Sequence, residues 1–405
     1  MHLPDAPARS SRWLLAGLAS LALLKVACDG GKDGDEPNVV VETLAAALAD
    51  VGPYVVRPAL DRAAAAADTL VIAAEAWEAA EASGTGGAEA QAAAQAAWWG
   101  LMEAWQEVEV LQIGPAASSL TAAGGADLRD SVYSWPTVNR CRVDQETVEA
   151  AWDDADFFST NLVNVYGLAA LEVLLYAPAG ENVCAATVGI NTDGSWAALG
   201  VEGVQRNRAS YARALATHTA SMADDLVSRW DPAGGDFGAQ LANAGDASVY
   251  ETPEQALNAV FDALFYLETS TKDRKLGYAV GAGDCVETSC IASIESPIAG
   301  GSHAWVKVNL RAFRTLYLGG EGTGMDDVVR SLGEEALADA LLVALDEADA
   351  AAAAVTTPYD VAMTNDRAPM DALYAAVKAV TDLLKGDIAT VLLLQIPSEA
   401  SGDND

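Results

Sequence analysis

Alanine at helical spacing, with few prolines to interrupt it, sets the fold class of this chain. Hydrophobic residues make up 51% of the 405, alanine leads them, and prolines number 14. Alanine loses no side-chain entropy on entering a helix, so such a composition favours helix over any other element. The runs Ala63–Ala67 and Ala350–Ala354 read as closely packing helix faces rather than low-complexity tails. No stretch alternates apolar and polar residues long enough to mark a strand. The expected class is all-α.

The periodicity divides the chain. Residues 39–82 read as helix, with Leu60, Ala64, Ala67, Val71, Ala74 and Trp77 as an apolar stripe. Ser83-Gly-Thr-Gly-Gly87 ends it, and a second helix is expected over about 88–112, up to Gly114-Pro115. A long loop over 116–143 carries Tyr133-Ser-Trp-Pro136. A third helix is expected over about 145–176, kinked near Gly167, followed by an irregular connection over 178–197. The second half reads alike, with helices at about 201–230, 252–270, 302–318, 325–354 and 369–394 and a glycine-rich loop over 277–300. Thr252-Pro-Glu-Gln255 is a start signal: a capping threonine, proline at the first helical position and glutamine three residues after the cap. The division is therefore an N-terminal bundle over 39–197, a C-terminal bundle over 198–397 and an acidic tail over 398–405, with long loops in each half.

The first residues read as an export signal. Arg9 and Arg12 precede the apolar run Trp13–Leu24, which is too short to span a bilayer. Lys25-Val-Ala-Cys28 places a small residue before a cysteine, so residues 1–27 are expected to be removed and Cys28 to carry lipid. Stable anchoring then takes the several acyl chains of a bacterial lipoprotein. Lys25 departs from the usual apolar residue at that point, and an ordinary signal peptide is the alternative. Residues 29–38 are polar and read as a tether; Asp29, Asp33, Asp35 and Glu36 lack the distal glutamate of a calcium loop. Removing residues 1–27 takes 23 basic and 58 acidic residues to 20 and 57, a net charge of −37. Such a surface repels nucleic acid and attracts cations. Cys28 apart, four cysteines remain. An even count in an exported chain points to disulfides, and proximity favours Cys141–Cys184 and Cys285–Cys290. A metal site is the alternative, but no Cys-x-x-Cys pair exists.

Chemistry is scarce. The mature chain keeps two histidines, His218 and His303, so a histidine-rich zinc site is excluded by count. There is no His-Glu-x-x-His, no Gly-x-Ser-x-Gly elbow, no phosphate-binding loop and no dinucleotide fingerprint. The informative segment is Val165–Tyr176, apolar on every face except at Glu172. A helix apolar all round is buried, and a carboxylate there must be paired, metal-bound or protonated. A ligand-binding or proton-handling carboxylate and a structural ion pair with an arginine both remain open. On the preceding helix Trp98, Met102, Trp105 and Glu109 share a stripe, so Glu109 also points inward. It is a candidate to join Glu172 as a carboxylate pair around a metal; pairing with Arg140 or Arg142 is the alternative. Oxygen ligands favour a hard cation such as ferric iron or calcium.

Several segments together resemble the imelysin family, also described as insulin-cleaving membrane proteases or iron-regulated lipoproteins. They are Trp105-Gln-Glu-Val-Glu109 with Gly114-Pro115, the Tyr133-Ser-Trp-Pro136 loop, Gly167-Leu-Ala-Ala-Leu-Glu172, Lys275-Leu-Gly277, Glu295-Ser296 and Asn309-Leu310. The matches run in order over about residues 40–396. The resemblance implies two helical bundles with the signature site near their interface, a cell-envelope lipoprotein facing the periplasm or on the outer membrane, and a link to iron uptake and its components. It also implies a peptidase label resting on a Gly-x-His-x-x-Glu metal pair. Here the histidine position is Ala169. Residues i and i+3 share a helix face, so a histidine there grips a metal together with the glutamate, and alanine cannot. The leading expectation is an imelysin-like lipoprotein that binds iron, another metal or a small ligand through Glu172, Glu109, Trp135, Lys275, Glu295 and Ser296. The alternatives are a metallopeptidase of the imelysin type, needing His218 or His303 beside Glu172, and an acidic surface protein that docks a partner.

Overall fold

A computed structural model describes residues 38–401 apart from positions 246 and 288. The expected signal segment, Cys28 and nearly all of the tether lie outside the described residues, as do 402–405. Among the described residues there is no strand, as the sequence predicts.

Helix α1 (Val39–Asp50) passes through one wide turn, Val51–Val56, into α2 (Arg57–Ser83). The buried stripe of α2 is Leu60, Ala63, Ala67, Leu70, Ala74 and Trp77. Ala64 and Val71, expected in it, lie on its half-buried flank. Helix α3 (Gly87–Val110) buries Trp98, Met102, Trp105 and Glu109 together, as their spacing requires.

The expected third helix is a correction. Helix α4 (Arg140–Glu149) stops at Ala150, whose φ is 56°. The chain then turns through Asp153, Asp154 and Asp156, a residue type that favours turns over helix interiors. This detour stacks Trp152 on Tyr211, ring centroids 5.2 Å apart. Short helical turns at Phe157–Thr160 and Val163–Val165 follow, and a longer helix resumes at α5 (Leu168–Tyr176).

Helix α6 (Ser195–Trp230) is broken at Gly200 (φ 62°), so its long part begins at 201 as expected. It packs along α2 and touches α4 and α5. Its main partners thus lie before residue 197, and a cut there separates it from them.

In α7 (Pro253–Leu264) the start signal is built as read. Thr252 accepts from the Gln255 N–H, and the Gln255 side chain accepts from the Glu251 N–H. The helix gives way to a wide-turn segment, Leu267–Leu276. Helix α8 (Ser302–Leu318) matches its expected span. The expected helix over 325–354 is two, α9 (Met325–Ser331) and α10 (Glu335–Ala354), separated at Gly333 (φ 83°). The last, α11 (Ala368–Leu383), unwinds into a wide turn over Leu384–Ile388.

Packing joins α2, α3, α5 and α6 in one group and α8, α10, α11 and the wide-turn segment in another. Helices α3 and α8 pack on each other across the two groups, and one continuous apolar core runs through both. Both expected disulfides form, Cys141–Cys184 and Cys285–Cys290.

Candidate functional site

Gly167 sets the position of α5. Its φ is 78°, and a Cβ there meets the Val132 carbonyl oxygen at 2.6 Å. Only glycine lets the start of the helix lie against the Leu128–Val132 turn. Leu168 to Leu175 are then all buried, Glu172 among them at 5% exposure. Ala169 is buried one turn before it and offers no donor atom.

One oxygen of Glu172, Oε1, accepts from the backbone N–H groups of Ile298 (3.0 Å) and Ala299 (2.8 Å). The loop before α8 therefore closes over the signature helix through this carboxylate. Among the described residues no lysine or arginine forms an ion pair with it. Burial pushes its pKa up to about 7; the two amides and the more distant Arg140 pull it down, and Glu295 adds to the rise.

A hub of polar side chains sits beside it, each with essentially no exposure. Glu295 Oε1 accepts from Gln106 Nε2 (2.9 Å) and Tyr133 OH (2.8 Å) and pairs with Lys275 Nζ at 3.0 Å. Lys275 also donates to Gln106 Oε1 at 2.5 Å. Asn309 donates to the Gln106 carbonyl (2.8 Å) and to its side-chain oxygen (3.0 Å). Burial lowers the Lys275 pKa, against Glu295 and Glu109, which raise it. The second oxygen of Glu295 is buried with no hydrogen-bond partner. Ser296, held at φ 46°, accepts from Trp305 Nε1 at 2.9 Å.

Glu109 is saturated. Arg129 donates to it through Nη2 (2.6 Å) and Nε (3.1 Å to each oxygen), Trp105 through Nε1 (2.6 Å) and Tyr266 through its hydroxyl (2.9 Å). Its partner is Arg129, not Arg140 or Arg142, and it shares no partner with Glu172. The expected carboxylate pair is therefore corrected: Glu109 belongs to a closed ion pair. Trp135 packs edge-on against Tyr278, centroids 6.1 Å apart.

The Tyr133 hydroxyl lies within the influence of Glu295, Glu172 and Glu109 together. Along this seam three carboxylates meet two cations, Arg129 and Lys275. Glu172 is the carboxylate left uncompensated.

This donor set does not fit a hydrolytic metal centre. Such a centre takes three protein ligands, and among the described residues no group of three His, Cys, Asp or Glu side chains converges. His218 stacks on Phe158 at 3.8 Å, and His303 is half-buried at the start of α8.

Sequence reasoning named Glu172, Glu109, Lys275, Glu295 and Ser296 as candidates; Tyr133, Gln106 and Asn309 stood in its motifs without a role, and Arg129 and Tyr266 were missed. Asn309 left a signal, as a lone amide on a helix face with Trp305, Val306, Ala312 and Phe313.

The imelysin family profile matches residues 56–386. No curated protein matches the chain. Solved structures that share its fold include two with imelysin-like or iron-regulated descriptions. One, from Parabacteroides distasonis ATCC 8503, is described as an iron-regulated protein A precursor; it is 16% identical with a TM-score of 0.66, the match covering 90% of this chain and 96% of that one. The other, an imelysin-like protein from Psychrobacter arcticum 273-4, is 20% identical with a TM-score of 0.63, covering 90% and 98%.

Proposed function

The chain belongs to the imelysin family, and from that premise we propose that it is an exported binding protein of the family rather than a peptidase. The observation that carries the reading is the uncompensated, buried Glu172, with one oxygen on two loop amides and no cation against it. A buried carboxylate without a counter-charge is costly, and a ligand that brings a positive charge or hydrogen-bond donors relieves that cost. One free carboxylate does not hold a bare metal ion, which needs several donors. The ligand is a small molecule, and iron, where it is the cargo, arrives within a chelate. The iron-regulated description of the Parabacteroides structure supports that link. Export and lipidation at Cys28 complete the proposal, resting on the N-terminal pattern.

The test is native mass spectrometry and elemental analysis of the mature protein, wild type beside Glu172→Gln. A small molecule, with or without iron, retained by the wild type and lost from a folded Glu172→Gln supports the reading. Stoichiometric bare zinc or iron with peptide hydrolysis overturns it, as does an unliganded wild type.

A further inference from the structure

The other buried carboxylates on the elements packed around α5 are each matched by a cation. Glu109 takes Arg129, Glu295 takes Lys275, Glu146 takes Arg142, and Asp144 takes Arg208 at 3.3 Å together with the Val183 N–H at 2.9 Å. Two charges of opposite sign are left over, Glu172 on α5 and Arg140 at the start of α4.

Arg140 is half-buried. Its Nε is buried with no hydrogen-bond partner, and among the described residues its guanidinium forms no ion pair. The Asn139 N–H donates to the Asn164 carbonyl at 2.9 Å, which holds the start of α4 beside the chain leading into α5, and the two helices pack on each other. The charge of Arg140 reaches Glu172, favouring its ionised form, and it also reaches Asp144 and Arg208, which already pair with each other. On the acidic side, Glu172 Oε1 holds both loop amides. Its Oε2 has no hydrogen-bond partner among the described residues and is not sealed from solvent. Each charge is thus anchored by its own element, and the two do not meet. A ligand with one charge relieves one of them and leaves the other; a ligand with both relieves both. The planar fork of an arginine matches a carboxylate in particular.

On the reading of Glu172 as the ligand-binding carboxylate, we propose that the ligand is a small zwitterion, an amino acid in the broad sense. Its ammonium lies on Glu172 Oε2 and its carboxylate on the guanidinium of Arg140.

The experiment is calorimetric titration of the mature protein with glycine, β-alanine, γ-aminobutyrate and ε-aminocaproate, which separate the two charges by increasing lengths, and with butylamine and butyrate. The expected result is saturable binding that peaks at one chain length, with both singly charged compounds weaker by roughly tenfold or more. Arg140→Met, which breaks no ion pair, is expected to lose roughly tenfold or more for the zwitterion at little change in Tm and to leave butylamine unaffected. Arg140→Lys is expected to recover part of the loss, and Glu172→Gln to lose zwitterion and amine alike. Butylamine binding as tightly as every zwitterion, or zwitterion binding untouched by Arg140→Met, overturns the zwitterion and leaves the Glu172 reading standing. Zwitterion binding untouched by Glu172→Gln overturns both. No binding of any zwitterion overturns the zwitterion alone, if the wild type still retains a molecule that Glu172→Gln loses in native mass spectrometry.

Discussion

Glu109 and Glu172 are both buried glutamates, on helices that pack against each other, and they have opposite surroundings. Glu109 is met by an arginine fork, an indole and a phenol. Glu172 is met by two loop amides alone. An arginine fork brings the opposite charge to a carboxylate, whereas burial with only neutral donors lets a carboxyl keep a proton near neutral pH. Burial is therefore not what marks a binding residue. The missing counter-charge is.

The contrast breaks most visibly at Arg129. Removing one partner of a buried pair leaves an uncompensated charge, at a cost of about 3–5 kcal/mol. Arg129→Met is expected to lose that much in urea unfolding at pH 7. Glu109→Gln is expected to lose less, because Arg129, with 17% of its side chain exposed, keeps solvent and Asp130. Equal losses would mean that Arg129 is held by its packing rather than by Glu109.

At Glu172 the expected effect has the other sign. Its pKa moves from an ordinary 4.5 to about 7 on folding. Between those values the folded chain keeps a proton that the unfolded chain has released, so this group's contribution falls as pH rises from 4.5 to 7 and stays low above. Glu172→Gln lacks that titration. It is expected to match wild type near pH 4 and to exceed it above pH 7 by up to about 3 kcal/mol, the equivalent of that movement in pKa. The measurement is the wild-type minus variant difference in urea stability across pH, which cancels the other carboxylates. A flat difference would show that Glu172 is ionised at pH 7 and compensated by a group other than the amides. A variant that gains stability while losing its ligand separates the binding role from a structural one.

Two glycines sharpen the comparison from the backbone side. Gly167 and Gly200 both hold positive φ, 78° and 62°, but a Cβ at Gly167 meets a carbonyl at 2.6 Å and one at Gly200 meets nothing within 4 Å. Gly200→Ala carries strain alone, roughly 1 kcal/mol. Gly167→Ala adds a clash that displaces the signature helix, for a loss of roughly 2 kcal/mol. Urea unfolding of both variants checks the ranking. Equal losses would show that the close approach at Val132 relaxes freely.

The sequence carried the helices wherever apolar period and alanine agree, as in α2, α3 and α8, because that information is local. It did not carry the detour from Ala150 to Gly167, within which Trp152 stacks on Tyr211, a residue of a later helix. Nor did it carry the wide turns at Val51–Val56 and Leu267–Leu276, where neighbouring elements decide the hydrogen-bond register. The site divides the same way. Glu172 was legible because an acid in an apolar helix must be explained. Its lack of a counter-charge was not, since that depends on which cation each acid captures. Arg129 reaches Glu109 across 20 residues, and Asn309 reaches Gln106 across 203.

Arg140 gives the smallest and most specific test. It acts on Glu172 from beyond ion-pair distance and favours the ionised form, against burial and Glu295. Arg140→Met removes this one cationic influence and leaves both amide contacts in place. The Glu172 pKa is expected to rise further, followed as the pH-dependent carboxyl carbon shift in a glutamate-labelled sample and assigned by its loss in Glu172→Gln. The stability difference between Arg140→Met and the double variant with Glu172→Gln then extends to higher pH than in the wild-type background. An unmoved pKa would mean that solvent already screens Arg140, leaving the Ile298 and Ala299 amides as the whole stabilisation of the carboxylate. The loop that carries them would then be the sole control on whether Glu172 is charged when a ligand arrives.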